Sequence, residues 1–315
     1  MSAMRPVGTR RRFRRDLRRL AVPLLAPLLL LVGCGDDTGT TTPSDSPSAS
    51  TSTSPGESPS EPASESPSES PSESASESPG EPVTAGVYYV IDTRTGFRLA
   101  RELRDLPGED PATAAVEAMI AGPQDPDYAT TWNPATEVLS VTRPKKAIVV
   151  DLSADARTAN VGSEGAGLMI QQLVYTVTEA VDAKAPVRLL IEGKPAGELW
   201  GAVSWDKPVR RADPLDVRLL VQIDVPREGA TSSSPLTVSG DAATFEANVP
   251  WRVLDAKGKV VKRGFTTTSE GMTFAPYSFT VRLKPGTYTV EITEDDPSGG
   301  EGGTPMVDTR TVTIS

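Results

Sequence analysis

The side chains able to do chemistry narrow the field first. The 315-residue chain has no histidine and one cysteine, so no Ser-His-Asp or Cys-His nucleophile and no imidazole metal site can be assembled. Ser204 and Lys207 have the Ser-x-x-Lys spacing of a lysine-activated serine, but that motif needs a helix start and partner motifs. Pro208 follows at once, and the pair reads as a chance match. Two carboxylates at a set separation suffice for acid–base work on glycosides. Glu109, Asp110, Glu117 and Asp151 are candidates by location, yet Asp110 reads better as a helix N-cap and Asp151 as a strand-end residue. Gly162 to Gly167 precedes a helical pattern, where backbone amides could meet an anion. It lacks a dinucleotide fingerprint and a phosphate-binding lysine, and reads as a plain helix start. Glu294, Asp295, Asp296 and Glu301 offer oxygens to a hard cation, but without the spacing of a known calcium loop they read as a solvated hairpin tip. No catalytic residue, metal or cofactor is expected. Tyr128, Trp132 and Asn133 lie in a loop, where binding functions concentrate and where aromatic rings can stack on sugars. Alternatively, Trp132 covers the open end of a small core.

The one cysteine, Cys34, carries a clearer chemistry. Eight arginines between Arg5 and Arg19 precede an apolar run from Leu20 to Val32, the order of an export signal. That run is too short to span a bilayer, which takes about 20 residues, and Pro23 and Pro27 interrupt it. It ends Leu31-Val32-Gly33-Cys34, the pattern of a bacterial lipobox. The expectation is a signal peptide over residues 1–33, with Cys34 lipidated and anchored in the extracytoplasmic face of the cell membrane. An incidental thiol would instead leave an odd exposed cysteine in an oxidising compartment. Thr9 to Arg15 also has the look of a twin-arginine export motif, by which folded proteins travel.

Residues 34–82 read as the lipidated cysteine followed by a disordered linker. Residues 35–82 carry ten acidic and no basic residues, with Glu57, Glu61, Glu65, Glu69, Glu73, Glu77 and Glu81 four apart in a Ser/Pro background. Proline interrupts any helix, and no apolar residue larger than alanine is present to dock it. Without the signal the chain has 24 basic and 41 acidic residues, and residues 83–315 have 24 and 31, a net charge of −7. An acidic body without basic stripes excludes nucleic acid as the expected partner.

The elements that must position these residues fall into two groups. Over 83–205 the stretches 86–92 and 97–106 predict a hairpin, and Asp110-Pro111 starts a helix closed by Gly122-Pro123, with Ala112, Ala115, Val116, Met119 and Ile120 on one face. Strand patterns return at 137–142, 146–153 and 187–193, around a second helix that faces inward through Ile170, Leu173, Val174, Val177 and Val181. The expected class is α+β, with helices on one face of a sheet. Over 213–315 seven alternating stretches separated by turn residues predict an all-β, immunoglobulin-like sandwich. Trp251, Phe245, Phe279 and Tyr288 are its expected large core residues.

"VYYV", "AAVEAMIAGP", Pro134-Ala135-Thr136, "AIVVDLS", "QQLVYTVTEA" and "VRLLIEG" resemble a bacterial GerMN (sporulation and spore germination) domain. "SGDAATFEANVPWRVLD", "GKVVKRGF" and "PGTYTVEI" resemble the immunoglobulin-like domain often found after it. The departure is Asn133-Pro134-Ala135-Thr136, where the family more often has an aliphatic residue before the proline and glycine after it. The resemblance implies an envelope lipoprotein, in some members connected with sporulation, and supplies no catalytic residue. The expectation is therefore a non-enzymatic binding or scaffold protein, held to the lipid bilayer through Cys34 and engaging an envelope protein or peptidoglycan. The alternatives are a carboxylate-dependent wall-modifying enzyme and a subunit of an envelope ring assembly.

Overall fold

The computed structural model describes residues 81–315 apart from Lys145, Asn160, Gly299, Gly300 and Gly302, and these residues belong to one compact unit. The expected signal peptide, the expected lipobox with Cys34, and the expected linker up to Gly80 lie outside the described residues.

The first domain opens with a hairpin of β1 (Val83–Thr93) and β2 (Gly96–Leu106), paired from Val83 with Leu106 to Thr93 with Gly96. Gly96 closes the turn at φ +102°, a conformation that L side chains avoid. Helix α1 (Pro111–Ala121) starts where the sequence predicts. The Asp110 carboxylate accepts the Thr113 N–H at 3.2 Å, Pro111 stands in the first turn, and the five predicted apolar residues are buried. Strands β3 (Val138–Thr142) and β4 (Ile148–Leu152) are antiparallel. Helix α2 (Ser163–Val181) then crosses over, so that β5 (Val187–Ile191) lies parallel to β4, and β6 (Lys194–Pro195) completes a sheet of order β3-β4-β5-β6. A small hairpin follows, β7 (Gly197–Leu199) with β8 (Val203–Trp205).

The class is α+β, but the arrangement corrects the expectation of helices lying on one face of a single sheet. The β1–β2 hairpin does not join the four-stranded sheet, and α2 packs against residues of both. Buried on most of its circumference, α2 places Gln172, Tyr175, Thr176 and Thr178 inside along with the predicted aliphatic face. Burying polar groups is costly unless they are paired, and here they seal the free edge of β1. Thr176 Oγ1 accepts the Tyr88 N–H at 3.0 Å, and Gln172 Nε2 donates to the Tyr88 carbonyl at 3.0 Å. Two residues on, Val90 and Ala129 exchange backbone hydrogen bonds of 2.8 Å. An open strand edge is thus covered by side chains and a loop rather than by another strand.

Residues 206–220 do not swing free between the domains. Val209 pairs with Val187, and Tyr175 donates to the Ala212 carbonyl at 2.8 Å. Arg211 reaches Glu179 at 2.7 Å, before the short helix α3 (Pro214–Val217).

The second domain is a sandwich. One sheet has the order β14 (Ala275–Val281), β11 (Leu236–Ala242), β9 (Val221–Val225). The other runs β10 (Ala230–Ser232), β16 (Val307–Ile314), β15 (Gly286–Thr293), β12 (Asn248–Asp255), β13 (Val260–Thr267). Val221, Ile223, Leu236, Val238, Val249, Val253, Val290, Ile292, Val312 and Ile314 fill the space between them, with Tyr277 the one fully enclosed aromatic of that cluster. The expected aromatic core is corrected: Phe245 is 45% exposed, and Trp251, Phe279 and Tyr288 are half-buried at the rim. Sheets about 10 Å apart are filled by alternating β-branched residues, which leaves the larger rings the margin. There Trp251 and Phe279 stack at 4.6 Å, and Trp251 lies across its strand partner Gly264, where a Cβ would come within 2.5 Å of the ring.

A candidate interaction groove and the junction behind it

The side chains singled out in the sequence are drawn to different places. Tyr128 is buried where the two domains meet and donates its hydroxyl to Asp308 Oδ1 at 2.7 Å. Trp132 is 2% exposed and packs edge-on against Trp200 at 5.7 Å. Neither ring offers an open face, so a sugar-stacking platform is not formed by these two residues in this arrangement. Asn133 donates to the Asp155 carbonyl at 3.2 Å and accepts the Ala135 N–H at 3.0 Å, which fixes the local turn. Among the carboxylates, Asp110 caps α1 and Asp151 accepts the Gly193 N–H at 3.0 Å. Ser204 sits in β8 opposite Glu198, away from any helix start. Among the described residues no group of three or more carboxylates is placed to hold a metal ion, and Glu294 is paired with Arg94 at 2.8 Å.

The densest polar cluster is the junction itself. Arg310, on β16, donates to Asp125 at 2.7 Å, Asp308 at 2.9 Å, the Tyr128 hydroxyl at 2.8 Å and the Ile223 carbonyl at 2.9 Å. Asp308 also accepts the Ile223 N–H at 2.6 Å and Gln222 Nε2 at 3.1 Å. Gln222 then clips the Arg101 backbone on both sides, at 2.8 and 2.9 Å. Arg101 forks onto Asp224 at 3.0 and 2.6 Å. Burial pushes the Asp125 carboxyl up to about 6, with Arg310 pulling against it, and pushes Asp308 and Tyr128 upward too. Fully paired, such a network fixes one geometry. It is a structural weld, and the sequence does carry a signal for it: Asp308 and Arg310 stand in register with core-facing Val312 and Ile314.

A binding surface lies elsewhere on the first domain. Val90, Phe97, Val161 and Leu168 line a pocket of about 360 Å³ beside the start of α2, joined by Thr131, Gly162, Glu164 and Gly165. Phe97 follows the hairpin turn and is 51% exposed. The Thr131 hydroxyl is buried here without a hydrogen-bond partner among the described residues. Glu164 reaches over Gly96, where a Cβ would come within 2.8 Å of its Oε1. An apolar hollow with a few convergent polar groups has the makeup of a ligand site. Its lining suits an apolar side chain accompanied by a donor for Thr131 or Glu164, more than it suits a polyhydroxylated sugar. The glycine-rich stretch from Gly162, which the sequence presents as a plain helix start, forms one wall of this site, and a large aromatic beside a turn, Phe97 after Gly96, is its other visible signal.

Two family models match the chain. Residues 86–197 match the family described as sporulation and spore germination, and residues 220–301 match the immunoglobulin-like domain of bacterial spore germination. No curated protein matches the chain. Among solved structures, the tandem GerMN domains of the sporulation protein GerM from Bacillus subtilis are similar at 20% identity and a TM-score of 0.36, over 42% of this chain and 46% of that one. The first GerMN domain of the same protein is similar at 21% identity and a TM-score of 0.33, over 41% of this chain and 97% of that one. This chain therefore spans about half the length of the tandem structure.

Proposed function

Since the chain joins a domain of the sporulation and spore germination family to an immunoglobulin-like domain of bacterial spore germination, we propose that it is a non-enzymatic, membrane-anchored binding module of the cell envelope. In this reading Cys34 is lipidated, the Ser/Pro/Glu stretch holds the folded unit off the membrane, and the groove at Phe97 receives an apolar side chain of an envelope protein. The observation that carries it is the groove: an apolar hollow with an unpartnered Thr131 hydroxyl, on a body whose buried ionisable cluster is consumed in joining two domains.

A photocrosslinking residue placed at Phe97 in the full chain tests the docking. A discrete protein adduct, lost when Leu168→Asp closes the hollow with charge, is the expected result. No adduct, together with saturable co-sedimentation of residues 81–315 with peptidoglycan, would transfer the role to the wall polymer. Anchoring is read separately, from incorporation of labelled fatty acid that Cys34→Ala abolishes.

A further inference from the structure

The cations of the second domain sort into two sets. Arg218, Arg227, Arg252 and Arg310 each face a carboxylate, namely Asp241, Asp105, Glu291 and Asp308. Lys257, Lys259, Lys262, Arg263, Arg282 and Lys284 are exposed, and none of them has an ion-pair partner among the described residues. The nearby carboxylate, Asp255, is engaged with the backbone N–H groups of Lys257 and Lys259, at 2.9 and 3.0 Å.

Topology gathers five of these six cations at one end, while Arg263 pairs with Arg252 in mid-strand. Asp255 on β12 pairs with Tyr288 on β15, so the β12–β13 turn and the β14–β15 turn lie side by side. A groove of about 380 Å³ forms there, with Val261, Leu283 and Tyr288 set among Lys262, Arg282 and Lys284. β15 runs away from this tip for eight residues, about 25 Å, to Glu294, which pairs with Arg94 of the first domain. The tip is thus the end of the sandwich far from the junction, and Glu294, which follows Thr293 at the end of β15, lies at the opposite end.

We propose that this basic tip docks onto the phosphate headgroups of an anionic phospholipid bilayer. Cations around an apolar groove, in which Val261 is 38% exposed and Leu283 and Tyr288 are half-buried, match the charge and layering of a lipid interface. Residues 83–315 carry a net −7 with the tip's cations included, so the rest of the body is more acidic still and is repelled by the same surface; contact is favourable in one orientation and weakens as salt screens it. Between Cys34 and Val83 lie 48 residues, a contour of about 160 Å, enough to let the tip return to the membrane that holds the anchor. The choice of occupant rests on the anchoring proposed above, but the two ideas fail separately, because the assay below uses unanchored protein.

Residues 81–315 are floated with phosphatidylcholine vesicles containing phosphatidylglycerol, and with phosphatidylcholine vesicles alone. The expected result is flotation with the anionic vesicles only, falling about tenfold at high salt. It should be lost in K262E/R282E/K284E and kept in K146E/R188E/K194E, which makes the same charge change at exposed sites of the first domain. Absence of flotation overturns the proposal, as does equal loss in both triple variants. Binding to soluble poly(glycerol phosphate) that depends on the tip, without flotation, overturns it in favour of a phosphodiester polymer.

Discussion

At the scale of single residues, Arg310 shows how much one side chain can hold. It is 3% exposed and faces Asp125 and Asp308, both 1% exposed. Arg310→Met removes the cation and leaves two buried carboxylates facing each other, a change that costs about 3–5 kcal/mol when one partner of a buried pair is deleted. Urea unfolding of wild type and variant reads this directly, and adding Asp125→Asn should recover part of the loss. Asp125 also sets a pH dependence. In the folded protein its carboxyl keeps its proton up to about 6, whereas in the unfolded chain it loses it near 3.8. Its contribution is fully present below 3.8 and is lost as pH rises through about 6. Asp125→Asn should therefore flatten the fall in urea midpoint between pH 4 and 7 relative to wild type. Residue chemistry was the least legible level in the sequence. Tyr128 and Trp132 look like a binding loop because their types suit it, and nothing local reveals that partners almost two hundred positions away enclose Tyr128.

Among the elements, α2 is the one whose composition explains the most. A purely aliphatic helix would bury well but would leave the Tyr88 N–H and carbonyl unpaired, and Thr176 and Gln172 supply the missing partners. Thr176→Val keeps the shape and removes the acceptor, so about 1–3 kcal/mol should be lost. Amide hydrogen exchange at Tyr88 should speed up more than at strand residues paired with β2. The long elements were readable: the β1–β2 hairpin, both main helices and the seven principal strands of the sandwich announce themselves through alternation, spacing and turn residues. β6, β7, β8 and β10 were not, because two or three residues are too few to show a period. The aromatic core of the second domain was misplaced for a different reason. Size alone suggests the interior, but Phe245 lies in a one-turn helix beside an exposed loop, and Val and Ile already fill the gap between the sheets.

At the scale of the whole molecule, the two domains are expected to unfold together. The junction shares Asp125, Tyr128 and Arg101 of the first with Gln222, Asp224, Asp308 and Arg310 of the second. Leu219 and Met306 enter the first domain's apolar core. Calorimetry of residues 81–315 should show one transition, and Arg310→Met should split it into two. A molecule joined in this way presents the Phe97 groove and the basic tip in a fixed relation, so a partner bound at one end would meet a set orientation at the other.

The closing of that junction also has a timetable. The Tyr128 hydroxyl waits for Asp308, 180 positions later, and Asp125 waits for Arg310, 185 positions later. A ribosome adding about 5–20 residues per second needs about 10–40 s to cross that interval. Throughout it the first domain stands with an unfinished side, its phenol and carboxylates wetted and its apolar rim uncovered. The last long strand, β16, acts as the bolt that is shot when everything else is in place, and contacts of such separation close slowly. Quality control that samples nascent or newly exported chains would find this protein vulnerable early and resistant late, with the change arriving in a single step.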